Sequence, residues 1–240
     1  MPDFSDRSTE REIIDDMTLD ERTIAGILRE LEVINRYLGG YATTLSALDE
    51  LLPASLDRIR ILDVGAGGGD MARRLVEWGR ARRQRVEVVS VDLSHGAVVF
   101  ARDALRDVPE ATVVQADVLA LPFASGTFDV GLCALFLHHF EQEPAARILR
   151  ALNDASRYGV VVNDLHRHPL AYAGIRALTT IFPTSEIVRN DGPLSVRRAF
   201  TREDFEDLSR RTGLDLDVRW RWAFRYQVII RKERAEEARC

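Results

Sequence analysis

The chain has 240 residues, 46% of them hydrophobic, enough for a sizeable core and a single α/β domain. Its formal net charge of -5 argues against a nucleic-acid partner, which would call for a basic face. No apolar run approaches the ~18 residues of a membrane helix, and the polar stretch Met1 to Arg11 lacks the apolar segment of a signal peptide. A cytoplasmic protein, monomer or homodimer, without a membrane span is expected. The two cysteines, Cys133 and Cys240, have no metal-ligand spacing, and no histidine cluster stands at such spacing, so neither a disulfide nor a metal site is expected.

Residues 1–20 show little periodicity and read as a loose arm. Ile24, Ile27, Leu28, Leu31, Ile34 and Leu38 recur at helical spacing, and Gly39-Gly40 stops that helix. A second helix is expected from Thr43 to Leu52. The pattern then changes to short apolar runs at Ile59–Val64, Val86–Val91, Thr112–Gln115, Phe128–Cys133 and Tyr158–Val162, read as strands. Helices at Met71–Trp78, Ala97–Leu105 and Glu143–Leu152 fill three of the four gaps between these strands, which implies parallel strands joined by right-handed crossovers. Residues 164–199 break the rhythm and read as an insertion holding one helix, Leu170–Ile181. Thr201, with Asp204 three residues on, opens a further helix that stops near Gly213. The runs Leu216–Trp222 and Phe224–Ile230 have too short a link for a parallel crossover, so an antiparallel pair is expected. The division predicted is an N-terminal helical arm or lid, 1–52, followed by a ligand-binding domain, 53–240.

The strongest local signal is Ile61-Leu62-Asp63-Val64-Gly65-Ala66-Gly67-Gly68-Gly69-Asp70, a strand that runs through a glycine turn into a helix. In a doubly wound sheet a nucleotide-like ligand lies there, and glycines let the backbone approach it closely. The frame Gly67-x-Gly69-x-x-Ala72 also satisfies the dinucleotide pattern, so an NAD-dependent oxidoreductase is one alternative. Asp63 weighs against it: a carboxylate at the strand end repels a pyrophosphate but suits an ammonium, such as that of the methionine end of S-adenosylmethionine (SAM). Asp92 closes the second strand, where a carboxylate can accept from both ribose hydroxyls. Asp117, just past the third strand, is within reach of an adenine amino group.

With these residues the sequence resembles the class I SAM-dependent methyltransferases, in particular the small-molecule branch that includes the ubiquinone and menaquinone methylases. The matching stretches are ILDVGAGGGD, VVSVDLS and QADVLALPFASGTFDVGLCALFLHHF, within about residues 59–163. The resemblance implies a Rossmann-like, mainly parallel seven-stranded sheet with an antiparallel last strand. It implies SAM as cofactor, S-adenosylhomocysteine as product, and a small-molecule acceptor methylated on oxygen or carbon. It assigns Asp63, Gly65, Ala66, Gly67 and Gly69 to the SAM loop, Asp92 and Leu93 to the ribose and adenine, Asp117 and Val118 to the adenine, and Cys133-Ala134 to the wall beside the sulfonium. The segments His166-Arg167-His168-Pro169 and Arg189 to Phe200 resemble methyltransferases of phenolic or polyketide-type substrates. A non-catalytic SAM-binding module is the other alternative.

A phenol or enol acceptor gains from a general base near neutral pH. His138, His139 and His166 follow the fourth and fifth strands and are candidate bases, with backbone-bonded or solvated histidines as the competing reading. Asp164, which could instead orient a histidine, His168, Asp191, Ser195 and Arg197 are candidate acceptor contacts, with surface ion pairs as the alternative for the last three. The helix ending at Gly39-Gly40 is expected either to cover the cofactor or simply to pack on the sheet.

Overall fold

The computed structural model describes residues 3–232; Cys240 lies outside them. In chain order the elements are α1 (Glu21–Tyr37), α2 (Gly40–Leu51), β1 (Arg58–Val64), α3 (Asp70–Ala81), β2 (Arg85–Asp92), α4 (His95–Ala104), β3 (Ala111–Gln115), β4 (Phe128–Ala134), α5 (Gln142–Ala155), β5 (Ser156–Leu165), α6 (Pro169–Ile181), α7 (Glu186–Arg198), α8 (Arg202–Thr212), β6 (Leu216–Arg221) and β7 (Arg225–Arg231). The strands form one sheet in the order β3-β2-β1-β4-β5-β7-β6, in which β7 runs antiparallel to both its neighbours. This is the expected seven-stranded sheet. The order reverses between β1 and β4, so their carboxyl ends open the crevice where α/β sheets bind ligands.

The central strands are apolar on both faces because helices cover both. Ile59, Ile61, Val130 and Leu132 pack with Leu48, Leu75 and Val98 from α2, α3 and α4. Leu62, Val64, Cys133, Val160 and Val162 face the other way, onto Ile148, Leu149 and Leu152 of α5 and Phe205 and Leu208 of α8. Side-chain caps fix several helix starts: Asp20 accepts from Thr23 N, Ser94 from Ala97 N, and Thr201 with Asp204 forms the expected capping box. Among the described residues no helix is long and apolar enough to cross a membrane.

Three features depart from expectation. The N-terminal arm is not loose: Glu12 is buried, Ile13–Asp15 forms a 3-10 turn, and Ser8 N bonds Arg197 O. Second, α2 begins at Gly40 rather than Thr43, because Gly39 makes a left-handed turn between the helices and Gly40 is pressed against Asn35, where a Cβ would overlap the amide. Third, the 164–199 segment holds a second helix besides the expected one: α7, which runs across Gly192-Pro193. Proline there removes one helical hydrogen bond, but Val188, Asp191, Leu194, Val196 and Arg198 are all buried, and tertiary packing decides. In α1, Leu31 is exposed and Asn35 buried, the reverse of the simple stripe.

Candidate active site

The glycine loop follows β1, and its turn is closed by hydrogen bonds from Gly65 N and Ala66 N to Val91 O at the end of β2. Gly65 has φ +76°, and a Cβ there would lie 2.5 Å from the Phe136 ring, so this position tolerates only glycine. Leu28 of α1 lies against Gly67 and Gly68. The first helix therefore packs directly over the loop.

The three carboxylates stand at the carboxyl ends of adjacent parallel strands. Asp63, the next-to-last residue of β1, is 2% exposed, and its side chain accepts from Ser90 Oγ at 3.1 Å. Burial, with Asp70 and Asp92 nearby, raises its pKa to about 8. Among the described residues no cation forms an ion pair with it. Asp92 accepts from Gly67 N and Ser94 N, each at 2.9 Å, and burial raises its pKa. Asp117 caps the short turn Val118–Ala120 by accepting from Leu119 N and stays exposed, while Val118 is buried. Leu93 is half exposed beside Asp92. Cys133 is fully buried, with its thiol pKa pushed well up by burial, and Ala134 closes β4.

Beyond β4 the chain turns at Leu135 (φ 51°) and seats Phe136 on Gly65. Sequence reasoning did not single out Phe136, nor Tyr41, whose hydroxyl donates to Asp70 at 2.6 Å and joins α2 to α3. Their only signal was nearness to the glycine loop in space, which no local pattern carries.

Residues 61–159 match a methyltransferase domain. The relatives agree. The chain is 40% identical over 83 residues to a malonyl-[acyl-carrier protein] O-methyltransferase of Geobacter sulfurreducens, covering 35% of this chain and 30% of that protein. It is 29% identical over 175 residues to the ubiquinone/menaquinone biosynthesis C-methyltransferase UbiE of Cereibacter sphaeroides, covering 65% and 66%. The chain thus spans under two thirds of the length of each. In fold it is similar to a SAM-dependent methyltransferase from Aquifex aeolicus, with TM-score 0.60 at 15% identity over 89% of this chain and 98% of that one.

The cofactor of such a domain is SAM, and the donor set fits it. Asp63 is a buried carboxylate that pairs with no cation among the described residues and suits an ammonium, and Asp92 and Asp117 offer acceptors for hydroxyl and amino donors along the same edge.

The methyltransferase domain's candidate acceptor side is arranged differently from expectation. Asp164 is fully buried and accepts from His138 Nδ1 (2.6 Å), His138 N (3.1 Å) and Leu165 N (2.7 Å), so it orients His138 and does not face a cleft. Burial raises the Asp164 pKa, and the His138 ring more than offsets that, leaving it lowered. His138 is 3% exposed and His139 mostly buried, both beneath the N-terminal arm. Burial lowers the His139 pKa, but Asp15 and Glu12 more than offset that, leaving it raised. Asp191 accepts from Ile13 N and Ile14 N, Ser195 donates to Glu12, and Arg197 pairs with Glu10. All three hold the arm, because α7 lies directly beneath it. His168 caps α6 by accepting from Leu170 N and stacks on Phe224. His166 packs against Tyr226 with Nδ1 unpartnered, and burial lowers its pKa to about 4.

Proposed function

We propose that this chain transfers the methyl group of SAM to a small-molecule acceptor, a phenolic, quinol or polyketide-type oxygen or carbon. The observation that carries this reading is the row of three carboxylates at the ends of β1 and β2 and just past β3, around a glycine loop in a methyltransferase domain. SAM supplies a methyl on a sulfonium, with a neutral thioether as leaving group. The protein's part is then chiefly to hold the acceptor in line and to exclude water. Asp63 holds the ammonium, Asp92 the ribose and Asp117 the adenine edge, with α1 closed over the loop through Leu28.

On the acceptor side we assign His166, at the carboxyl end of β5. Its lowered pKa keeps the ring neutral near pH 7, and its Nδ1, buried without a hydrogen-bond partner, is the acceptor that a substrate hydroxyl entering beside Tyr226 would satisfy. A base this weak positions the hydroxyl more than it deprotonates it. One relative is an O-methyltransferase of malonyl-[acyl-carrier protein] and the other a C-methyltransferase of ubiquinone/menaquinone biosynthesis, which supports an oxygen or carbon acceptor. The reading is tested by incubating the protein with methyl-labelled SAM and a panel of phenols, quinols and β-keto acids. Label transfer with stoichiometric S-adenosylhomocysteine release supports it. Cofactor binding without release for any acceptor favours the non-catalytic module.

A further inference from the structure

We propose that Glu12, His138 and His139 form a binding site for one divalent transition-metal ion of the zinc type, which ties the N-terminal arm to the loop after β4. The three side chains come from segments far apart in sequence, yet one ligand atom of each lies within 4.8 Å of the others. Glu12 Oε1 stands 3.8 Å from His138 Nε2 and 3.9 Å from His139 Nδ1. These separations are too long for hydrogen bonds. They suit atoms that share an ion at about 2.0–2.2 Å from each.

Glu12 Oε1 and His139 Nδ1 are both buried, and their charged neighbours are Arg198 Nε, 3.4 Å from Glu12 Oε1, and Asp15 Oδ1, 2.8 Å from His139 Nδ1. An ion between them would draw the Glu12 and Asp15 carboxylates and both imidazoles onto one centre. The outer contacts are those of a metal site. Asp164 takes the other ring nitrogen of His138 at 2.6 Å, which leaves Nε2 as the ligating atom. Ser195 Oγ donates to Glu12 Oε2 at 2.6 Å and turns Oε1 toward the rings. Arg198 donates to Glu10 O and His139 O, and Arg7 to His138 O and Phe140 O, so both ligand-bearing segments are held by their backbones. Asp15 Oδ1, 2.8 Å from His139 Nδ1, is placed to complete the coordination. The Arg198 guanidinium, 3.4 Å from Glu12 Oε1, opposes a cation, and the carboxylates of Glu12, Asp15 and Asp164 outnumber it. Two imidazoles with carboxylate select a borderline ion over magnesium or calcium. Bound this way, neither ring is free to take a proton, which leaves His166 as the acceptor-side imidazole.

The test is titration of chelator-treated full-length protein with Co2+ and with Zn2+, read by visible absorption of the cobalt form and by thermal unfolding. The expected result is one equivalent bound, with a ligand-field band and a raised unfolding temperature. Glu12→Gln and His139→Gln weaken binding at least tenfold, whereas the exposed, remote His95→Gln leaves it unchanged. X-ray absorption of the zinc-loaded wild type shows a nitrogen and oxygen shell with two imidazoles, a readout that stands even if a variant misfolds. No stoichiometric binding, fewer than two imidazoles, or unchanged affinity in folded Glu12→Gln and His139→Gln overturns the proposal. Cofactor binding, measured separately with S-adenosylhomocysteine, distinguishes this failure from that of the methyltransferase reading.

Discussion

Asp63 is buried at the end of β1 with a pKa near 8, against 3.8 for an ordinary aspartate. A raised carboxyl pKa means that the folded state holds its proton more tightly than the unfolded chain. This contribution to stability is complete below about pH 4 and is lost as pH rises through about 8. An ammonium placed beside the carboxylate reverses the preference, so cofactor binding at pH 7 expels a proton. The measured enthalpy of S-adenosylhomocysteine binding therefore depends on the buffer's ionisation heat, and Asp63→Asn removes that dependence. The same substitution flattens the free protein's stability between pH 4 and 8. The Asp63 environment was only half legible in the sequence. Its place after the strand followed from apolar periodicity, whereas its isolation from arginine follows from packing that thirty-two scattered arginines did not disclose.

At the scale of elements, the strands were readable because central parallel strands are short, nearly continuous apolar runs between glycines and polar loops. Helix α7 was not, because Gly192-Pro193 carries a local stop signal that buried Val188, Leu194 and Val196 override. The turn from β4 into the loop sets Phe136 on Gly65, a contact between two segments that no periodicity predicts. Gly65→Ala should destabilise the protein by about 1–3 kcal/mol, from backbone strain at positive φ and from the ring contact together, and should abolish cofactor binding; denaturant unfolding and calorimetry check the two effects. Phe136→Ala in that background should recover only the part due to the ring. As a contrast, Thr201→Ala at the α8 capping box should cost about 1 kcal/mol in urea unfolding and leave cofactor affinity unchanged, since α8 lies on the far face from α1 and α2.

Across the whole molecule, polar ties hold the N-terminal layer to the sheet. Asn163 Nδ2, on β5, donates to Gly40 O and Thr44 Oγ1, and Gln227, on β7, to Thr43 O and Ser46 Oγ. Arg225, 1% exposed, donates to Leu38 O and Asn35 Oδ1, and burial lowers its pKa to about 10. These residues read as ordinary strand positions in the sequence, because their partners are remote in the chain. Asn163→Val should cost about 1–3 kcal/mol by removing the buried Nδ2 donor shared by Gly40 O and Thr44 Oγ1, seen as a lower urea midpoint at unchanged slope. The arm was misread as loose for the same reason: Glu12, Asp15 and Arg7 find their partners in the β4 loop and α7, and nothing near them in sequence foretells it.

The central claim, that the β1–β4 crevice holds the methyl donor on a row of carboxylates, is tested most directly by calorimetric titration of the protein with S-adenosylhomocysteine beside Asp92→Ala. The account predicts one-site, low-micromolar binding, weakened about tenfold or more by loss of the Asp92 hydrogen bonds. No binding to the wild type, or equal binding to Asp92→Ala, would contradict it.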